Sequence, residues 1–264
     1  MTAETGHIEA GGHRLEIARH PGARPEAPTL VLLHEGLGCV ALWRDFPARL
    51  AAATGCAVVA YSRAGYGGSD PCALPRPLDY MTREAVDVLP EVLSQMGLGD
   101  HILVGHSDGA TIAAIHAGRA PAPGLRGVCL IAPHFFTEPG GLAAIAAARE
   151  AYAVGDLRDR LAKYHGDVDA AFRGWNDAWL DPGFRDWNVE AVLDDIRVPL
   201  LALQGDADPY GTLAQVEVVS RRAGAAVETR ILAGIGHAPH VEATEDTVAT
   251  VAAFTARCLE EARA

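Results

Sequence analysis

The chain has 264 residues, of which 49% are hydrophobic, and carries a formal net charge of −12 with a pI near 5.3. This length is enough for one large α/β core, and the acidic balance excludes a nucleic-acid binder, which needs a basic surface stripe. The five cysteines are scattered and form no CxxC pair, so neither a zinc site nor a redox motif is indicated.

The amino-terminal residues contain no basic stretch followed by an apolar one, and no apolar run in the sequence is long enough to span a bilayer. We therefore expect a cytoplasmic protein without membrane contact. Its partner should be a small-molecule substrate rather than nucleic acid, and we expect a monomer or a homodimer.

Short apolar runs alternate with helix-like stretches along the chain, which is typical of a largely parallel sheet covered by helices on both faces. Strands are predicted at residues 7–9, 15–19, 29–33, 57–61, 101–104, 127–132, 200–203 and 227–232, the first two forming an antiparallel pair. Helices are predicted at residues 41–53, 82–96, 107–117 and 245–262, where apolar residues recur at three- and four-residue intervals.

One segment is far longer than a single crossover helix needs. We predict a helical cap at residues 135–197, inserted into a core formed by residues 1–134 and 198–264. The cap contains Trp175, Trp179 and Trp187 in a chain with four tryptophans. A lid over a pocket explains these aromatic residues, and so does simple packing of the cap onto the core.

The stretch Gly105-His106-Ser107-Asp108-Gly109 lies where a predicted strand ends and a helix begins. A serine in such a sharp turn needs very small residues two positions to either side, because larger side chains would clash with the tight backbone. Ser107 is therefore the candidate nucleophile. The alternative is a Gly-Ser turn with no catalytic role.

A serine hydroxyl needs a base to act as a nucleophile near neutral pH. Where a serine occupies such a turn, an acid and then a histidine follow it in the chain, each after a late strand. The predicted strand at 200–203 leads to Asp206 and Asp208, and the strand at 227–232 leads to His237, with His240 three residues later.

With these motifs the chain resembles the α/β-hydrolase superfamily over nearly its whole length. The resemblance implies a mostly parallel eight-stranded sheet flanked by helices, with a helical cap. The family's Gly-x-x-Asp stretch corresponds to residues 205–208 and selects Asp208 over Asp206, which we expect to bind local backbone. Its Gly-His stretch selects His237 over His240, while His106 is expected only to pack. His237 and His240 lack a third metal ligand, so no metal is predicted.

The resemblance also implies an oxyanion hole made by two backbone N–H groups. Asp108 should supply one and Gly36 the other. Glu35 departs from the family pattern, since glycine is usual there and a carboxylate would oppose the developing negative charge. We expect Glu35 to point away and bind local backbone or arginine. The alternative is that it holds a cationic or hydroxylated substrate.

A glycine-rich turn at residues 62–70 lacks the G-x-G-x-x-G fingerprint, so it is interpreted as structural and no cofactor is predicted. The implied reaction is two-step acyl transfer on a small, largely hydrophobic carboxylic ester, thioester or lactone. Relatives that cleave carbon–carbon bonds or acyl-homoserine lactones, and non-catalytic receptors, remain alternatives. Candidate substrate contacts are Glu35, His134, Phe135, Trp175, Trp179 and Tyr210.

Overall fold

The computed structural model describes residues 3–261, and an eight-stranded sheet runs through it in the order β1-β2-β4-β3-β5-β6-β7-β8. The strands are β1 (Glu4–Ala10), β2 (His13–His20), β3 (Thr29–Leu33), β4 (Val58–Tyr61), β5 (His101–His106), β6 (Leu125–Ile131), β7 (Leu200–Gly205) and β8 (Val227–Leu232). β2 pairs antiparallel with β1 and β4, and the other neighbouring strands are parallel. The predicted α/β-hydrolase fold is confirmed.

Helices occupy most of the connections between these strands. The α-helices are α1 (Phe46–Thr54), α2 (Tyr80–Arg83), α3 (Leu89–Gln95), α4 (Asp108–Arg119), α5 (Pro139–Val154), α6 (Leu157–Leu161), α7 (Val168–Trp179), α8 (Ala214–Arg222), α9 (Pro239–Glu242) and α10 (Thr244–Glu261). The predicted helix at 245–262 corresponds to α10, and residue 262 lies outside the described residues. Across residues 3–261, no helix is both long and apolar enough to cross a membrane.

The helix predicted at residues 82–96 is interrupted rather than continuous. A π-helical turn, Glu84–Val88, separates α2 from α3. Pro90 stands in the first turn of α3, where it has no N–H to donate and its ring crowds the carbonyl four residues earlier. The wider turn accommodates this local conflict.

The two faces of the sheet bury separate hydrophobic clusters. Successive side chains of a strand point to opposite faces. Leu30 and Leu32 of β3 accordingly join the cluster that contains residues of α1 and α10. Val31 and Leu33 join the cluster that contains residues of α3, α4 and the segment between β6 and β7.

The segment between β6 and β7 contains α5, α6 and α7, followed by 3₁₀ helices at Pro182–Phe184 and Glu190–Asp195. The last of these packs against α4, where a Cβ at Gly118 would lie 2.2 Å from the carbonyl oxygen of Val192. The segment is helical as expected. Its division from the core at residues 135 and 197 stays a prediction.

Candidate active site

The turn between β5 and α4 holds Ser107 in a conformation that few residues adopt, with φ of 53° and ψ of −119°. A Cβ at Gly105 would lie 2.2 Å from the carbonyl oxygen of Gly109. A Cβ at Gly109 would lie 2.0 Å from the carbonyl oxygen of Leu33. Both positions therefore require glycine, because the turn presses its own backbone and β3 together.

The carboxyl ends of three parallel strands bring a serine, a histidine and an aspartate into one line. Ser107 follows β5, Asp208 follows β7 and His237 follows β8. His237 Nε2 lies 3.0 Å from Ser107 Oγ, and His237 Nδ1 lies 2.8 Å from Asp208 Oδ2. A carboxylate at Nδ1 requires a hydrogen on that nitrogen, which leaves Nε2 as the acceptor for the serine hydroxyl.

The surroundings of Asp208 keep it ionised. Burial alone would raise the pKa of this carboxyl, but the hydrogen bond and charge of His237, with the backbone N–H of Tyr210, lower it below its ordinary value. The Tyr210 N–H donates to Asp208 Oδ1 at 2.8 Å. The aspartate is thus fixed on one side by backbone and faces the imidazole on the other.

The two rival residues occupy other places. Asp206 accepts a hydrogen bond from the Gly234 N–H at 2.6 Å, so it ties the loop after β7 to the loop after β8. His240 is buried, and its ring centroid lies 4.9 Å from that of Trp43. The imidazole that meets Ser107 is the one at position 237.

In the loop after β3, the Glu35–Gly36 peptide is fixed by hydrogen bonds to its carbonyl oxygen. The Glu35 carbonyl oxygen accepts hydrogen bonds from His34 Nδ1 at 2.7 Å and from Arg63 Nη2 at 3.0 Å. Since C=O and N–H point to opposite sides of a trans peptide, the Gly36 N–H points away from these donors. The Arg63 guanidinium also bonds the carbonyl of His34, so one buried cation fixes two consecutive peptides.

The side chain of Glu35 does not bind local backbone or arginine, so that expectation was wrong. Its Oε2 lies 3.4 Å from Nδ1 of His106, and the residue lines a cavity beside Ser107. Burial alone would raise the pKa of Glu35, but the hydrogen bond and charge of His106 lower it well below its ordinary value. This contact between Glu35 and His106 was not visible in the sequence pattern.

His106 does more than pack. Its Nε2 lies 2.7 Å from the carbonyl oxygen of His237, so the turn between β5 and α4 contacts the loop that carries His237. Its other nitrogen faces Glu35. His106 therefore links three loops at the carboxyl edge of the sheet.

The side chain of Asp108 points into a second polar network. Its Oδ2 accepts a hydrogen bond from the Tyr80 hydroxyl at 2.5 Å, and that hydroxyl in turn accepts one from Trp179 Nε1 at 3.1 Å. Burial raises the pKa of Asp108 above its ordinary value, against the lowering effects of Arg63 and Tyr80. Within the described part of the chain, nothing donates to Asp108 Oδ1.

A cavity of about 110 Å³ opens beside the nucleophile. Its walls combine residues of the core loops with residues of the segment between β6 and β7: Glu35, Gly36, Leu37, Ser107, Asp108, His134, Ile145, Trp175, Trp179, Tyr210 and His237. The prediction that Phe135 contacts the substrate is corrected, because this residue is fully buried in the core and does not line the cavity. Its backbone N–H bonds the side chain of Gln215 at 2.7 Å.

The indole of Trp175 rests directly on the loop after β3. A Cβ at Gly36 would lie 2.2 Å from Trp175 Cδ1, far inside any normal contact. The aromatic residues of α7 therefore approach the loop itself and do not merely cover it. Glycine at position 36 is what permits the contact.

A family model described as the alpha/beta hydrolase family matches residues 30–251 of the chain. The chain belongs to this family. A comparison with curated protein sequences finds no significant match. The assignment of this chain to the α/β hydrolases therefore rests on the family model and on the fold.

Solved structures share the fold of this α/β hydrolase over nearly its full length. Proline iminopeptidase from Mycobacterium smegmatis has a TM-score of 0.77 and 20% identity, covering 98% of this chain and 100% of that chain. Naproxen esterase (carboxylesterase NP) from Bacillus subtilis has a TM-score of 0.73 and 17% identity, covering 96% and 91%. Carboxylesterase CesB from Bacillus subtilis has a TM-score of 0.70 and 18% identity, covering 95% and 90%.

Sequence reasoning missed several residues that shape the site of this α/β hydrolase. Arg63 lies in the glycine-rich turn interpreted as structural, yet it bonds the loop that carries Gly36. Its signal in the sequence is an arginine two residues after a buried apolar strand, at the edge where the reactive loops meet. Nothing in the sequence indicates that Tyr80 reaches the site, because its contact with Asp108 depends on how α2 packs.

No group of three or more histidine, cysteine, aspartate or glutamate side chains in the described part of the α/β hydrolase is placed to hold a metal ion. His237 is hydrogen-bonded to Ser107 and Asp208, whereas the ring of His240 packs at an angle against that of Trp43.

Proposed function

We propose that this α/β hydrolase is a serine hydrolase that cleaves a small, largely hydrophobic carboxylic ester, thioester or lactone. The observation that carries the proposal is the continuous contact from Ser107 Oγ through the imidazole of His237 to the carboxylate of Asp208, at 3.0 and 2.8 Å. This arrangement activates a serine in acyl transfer on several unrelated folds.

The reaction proceeds in two steps. His237 Nε2 takes the proton of Ser107 as Oγ attacks the carbonyl carbon, and Asp208 stabilises the imidazolium that forms. Collapse of the tetrahedral intermediate breaks the bond to the leaving group, which receives the proton from His237 and leaves an acyl-serine. Water, deprotonated by the same imidazole, then attacks the acyl group and releases the acid with free Ser107.

The negative charge of the tetrahedral intermediate needs fixed donors. We assign this role to the backbone N–H groups of Gly36 and Asp108. The support is that both residues line the cavity with Ser107, and that the Glu35–Gly36 peptide is held by His34 and Arg63 so that its N–H points away from them. Arg63 also polarises this peptide, which makes its N–H a stronger donor.

The cavity supports a small and mostly apolar substrate. Its volume of about 110 Å³ is below the roughly 300–1,000 Å³ of ordinary ligand pockets. Leu37, Ile145, Trp175 and Trp179 supply its apolar walls. The names of two structural neighbours, naproxen esterase and carboxylesterase CesB, describe esterases and favour an ester over other carbonyl compounds.

A fluorophosphonate probe tests the nucleophile. We expect covalent labelling at Ser107, read by peptide mass spectrometry, and no labelling of Ser107→Ala. A panel of aryl esters of graded acyl length, lactones and vinylogous diketones then tests the reaction, with Ser107→Ala as the blank. Absence of labelling would contradict a reactive serine, and turnover of the diketones alone would contradict an esterase.

A further inference from the structure

The cavity is lined by one acidic residue with a partly exposed carboxyl group, Glu35, although most of its other walls are apolar. Glu35 immediately precedes Gly36. It therefore belongs to a peptide that we assign to the oxyanion hole. A carboxyl group in such surroundings is unfavourable unless it receives hydrogen bonds.

One oxygen of the Glu35 carboxylate already has a protein partner. His106 Nε2 lies 2.7 Å from the carbonyl oxygen of His237, and its Nδ1 lies 3.4 Å from Glu35 Oε2. The contact of His106 with the carboxylate is therefore at Oε2.

One oxygen of Glu35 remains available to a ligand. The side chain is 25% exposed, and the residue lines the cavity. Among the residues that the structure describes, only His106 is hydrogen-bonded to the carboxylate of Glu35, and it is bonded at Oε2. Oε1 is therefore an acceptor without a protein donor.

Asp108 does not offer a second acceptor to the cavity. The residue is only 1% exposed, and its Oδ2 is bonded to Tyr80. Its Oδ1 has no hydrogen-bond partner within residues 3–261, but this atom is also sealed from solvent, so a ligand in the cavity does not reach it. Glu35 is therefore the carboxyl group that a ligand can meet.

The apolar walls of the cavity distinguish between the donors that a substrate can bring. An ammonium group has three N–H donors, and those that do not meet Glu35 would lose their hydrogen bonds to water without replacement. A hydroxyl group donates one hydrogen bond to the carboxylate and adds no charge. The site therefore favours a hydroxyl over an amine.

We propose that the cavity selects esters, thioesters or lactones whose acyl part carries a hydroxyl group near the scissile carbonyl. Glu35 Oε1 is its acceptor. The inference rests on the proposed serine hydrolase function, because the carbonyl must sit between the Gly36 and Asp108 N–H groups. A hydroxyl on the first or second carbon beyond that carbonyl then lies closest to the carboxylate of Glu35.

Matched ethyl esters test the inference without any variant. Ethyl butyrate, ethyl 2-hydroxybutyrate, ethyl 3-hydroxybutyrate and ethyl 2-aminobutyrate are compared by acid release, with longer acyl chains added as matched pairs. A hydrogen bond to a charged group changes kcat/KM by about 10- to 100-fold. We expect a preference of this size for one of the hydroxy esters over its parent. Equal kcat/KM values, or a preference for the amino ester, would overturn the inference.

Variants locate the acceptor. In Glu35→Ala we expect the ratio of kcat/KM for the hydroxy ester to that for its parent to fall to twofold or less, since any effect on the Gly36 loop acts on both esters alike. Ile145→Ala is the matched control, since Ile145 lines the same cavity without a polar group. It should change both esters by the same factor and keep the preference. A preference that survives unchanged in Glu35→Ala would exclude Glu35 as the acceptor and overturn the assignment.

Failure of the inference and failure of the proposed function give different results. If parent and hydroxy esters are cleaved equally by a protein that labels at Ser107, only the selection of hydroxyl groups is wrong. If no ester in the series is turned over and Ser107 is not labelled, the serine hydrolase function is wrong and the inference falls with it.

Discussion

Replacing Gly36 by alanine should disrupt the contact between the loop after β3 and the indole of Trp175. The added Cβ would lie 2.2 Å from Trp175 Cδ1 and 2.3 Å from Nε1, whereas packed carbon atoms are about 3.5–4.0 Å apart. Loop and indole must separate by more than about 1 Å to relieve this overlap. Gly36 does not have a positive φ, so the backbone itself tolerates alanine and the clash alone determines the effect.

The size of the effect follows from that displacement. A misplacement of about 1 Å in a positioned reactive group lowers turnover by about 100-fold, and overpacking lowers the free energy of unfolding by about 1–3 kcal/mol. Trp175→Ala removes the clashing ring. In that background we expect Gly36→Ala to lower kcat by less than about fivefold, which corresponds to a coupling free energy of about 2 kcal/mol.

The assay is kcat for an aryl ester together with the rate of fluorophosphonate labelling, measured for both single variants and the double variant. Gly140→Ala serves as the control, because Gly140 lies in α5 and a Cβ there would meet nothing within 4 Å. It should leave kcat unchanged. Equal losses from Gly36→Ala with and without Trp175 would refute the reasoning, since the substitution would then act without the indole.

Three further predictions follow from buried groups of the site. Arg63→Lys should lower kcat by about tenfold or more, because the single ammonium of lysine cannot reproduce the hydrogen bonds that the guanidinium makes to the carbonyl oxygens of His34 and Glu35. An unchanged kcat for an aryl ester would contradict this. Asp208→Asn should lower kcat by about 10⁴-fold with an unchanged circular dichroism spectrum, and a loss below tenfold would argue against an acid at this position. Burial lowers the pKa of His134 and His240 to about 3. Below pH 6.5 these two histidines therefore bind protons in the unfolded chain but not in the folded chain. The free energy of unfolding should therefore fall from pH 6.5 toward pH 3 by about 1.4 kcal/mol per pH unit for each histidine. Denaturant titrations should show a shallower slope for His240→Gln, and stability that is constant from pH 7 to pH 5 would contradict the prediction.

The elements of the core could be predicted because their causes are local. Alternation along β3 sends Leu32 to one face and Leu33 to the other, and this pattern is visible in the sequence. The glycines at 105 and 109 could be predicted for the same reason, since the clash they avoid arises within the turn and its neighbouring strand. The order of the candidate acid and histidine along the chain follows from the order of the strands.

The partner of Glu35 could not be predicted in this way. His106 is 71 residues away in the chain, and both residues reach the same place only because β3 and β5 are neighbours in the sheet. The same holds for Arg63 and the carbonyl of Glu35, which belong to loops after adjacent strands. Once the sheet order is known, such pairs become foreseeable, but the direction of each side chain still depends on packing.

The prediction of Phe135 as a substrate contact and the prediction of a continuous helix at residues 82–96 were wrong for different reasons. Phe135 follows a strand at the edge where the site forms, and this position favours a pocket residue. Its side chain instead turns into the core, which chain position alone does not reveal. The π-helical turn arises because Pro90 conflicts with a helix that apolar periodicity otherwise supports across residues 82–96.

The backbone at Ser107 has a further consequence for how this sequence is maintained. With φ of 53° and ψ of −119°, a residue with a side chain is held there at a cost of about 1–3 kcal/mol. Glycine would remove that cost and would keep the turn. Selection for stability alone would therefore favour glycine at this position. A hydroxyl group here costs folding stability, and the proposed role of Ser107 as nucleophile accounts for that cost.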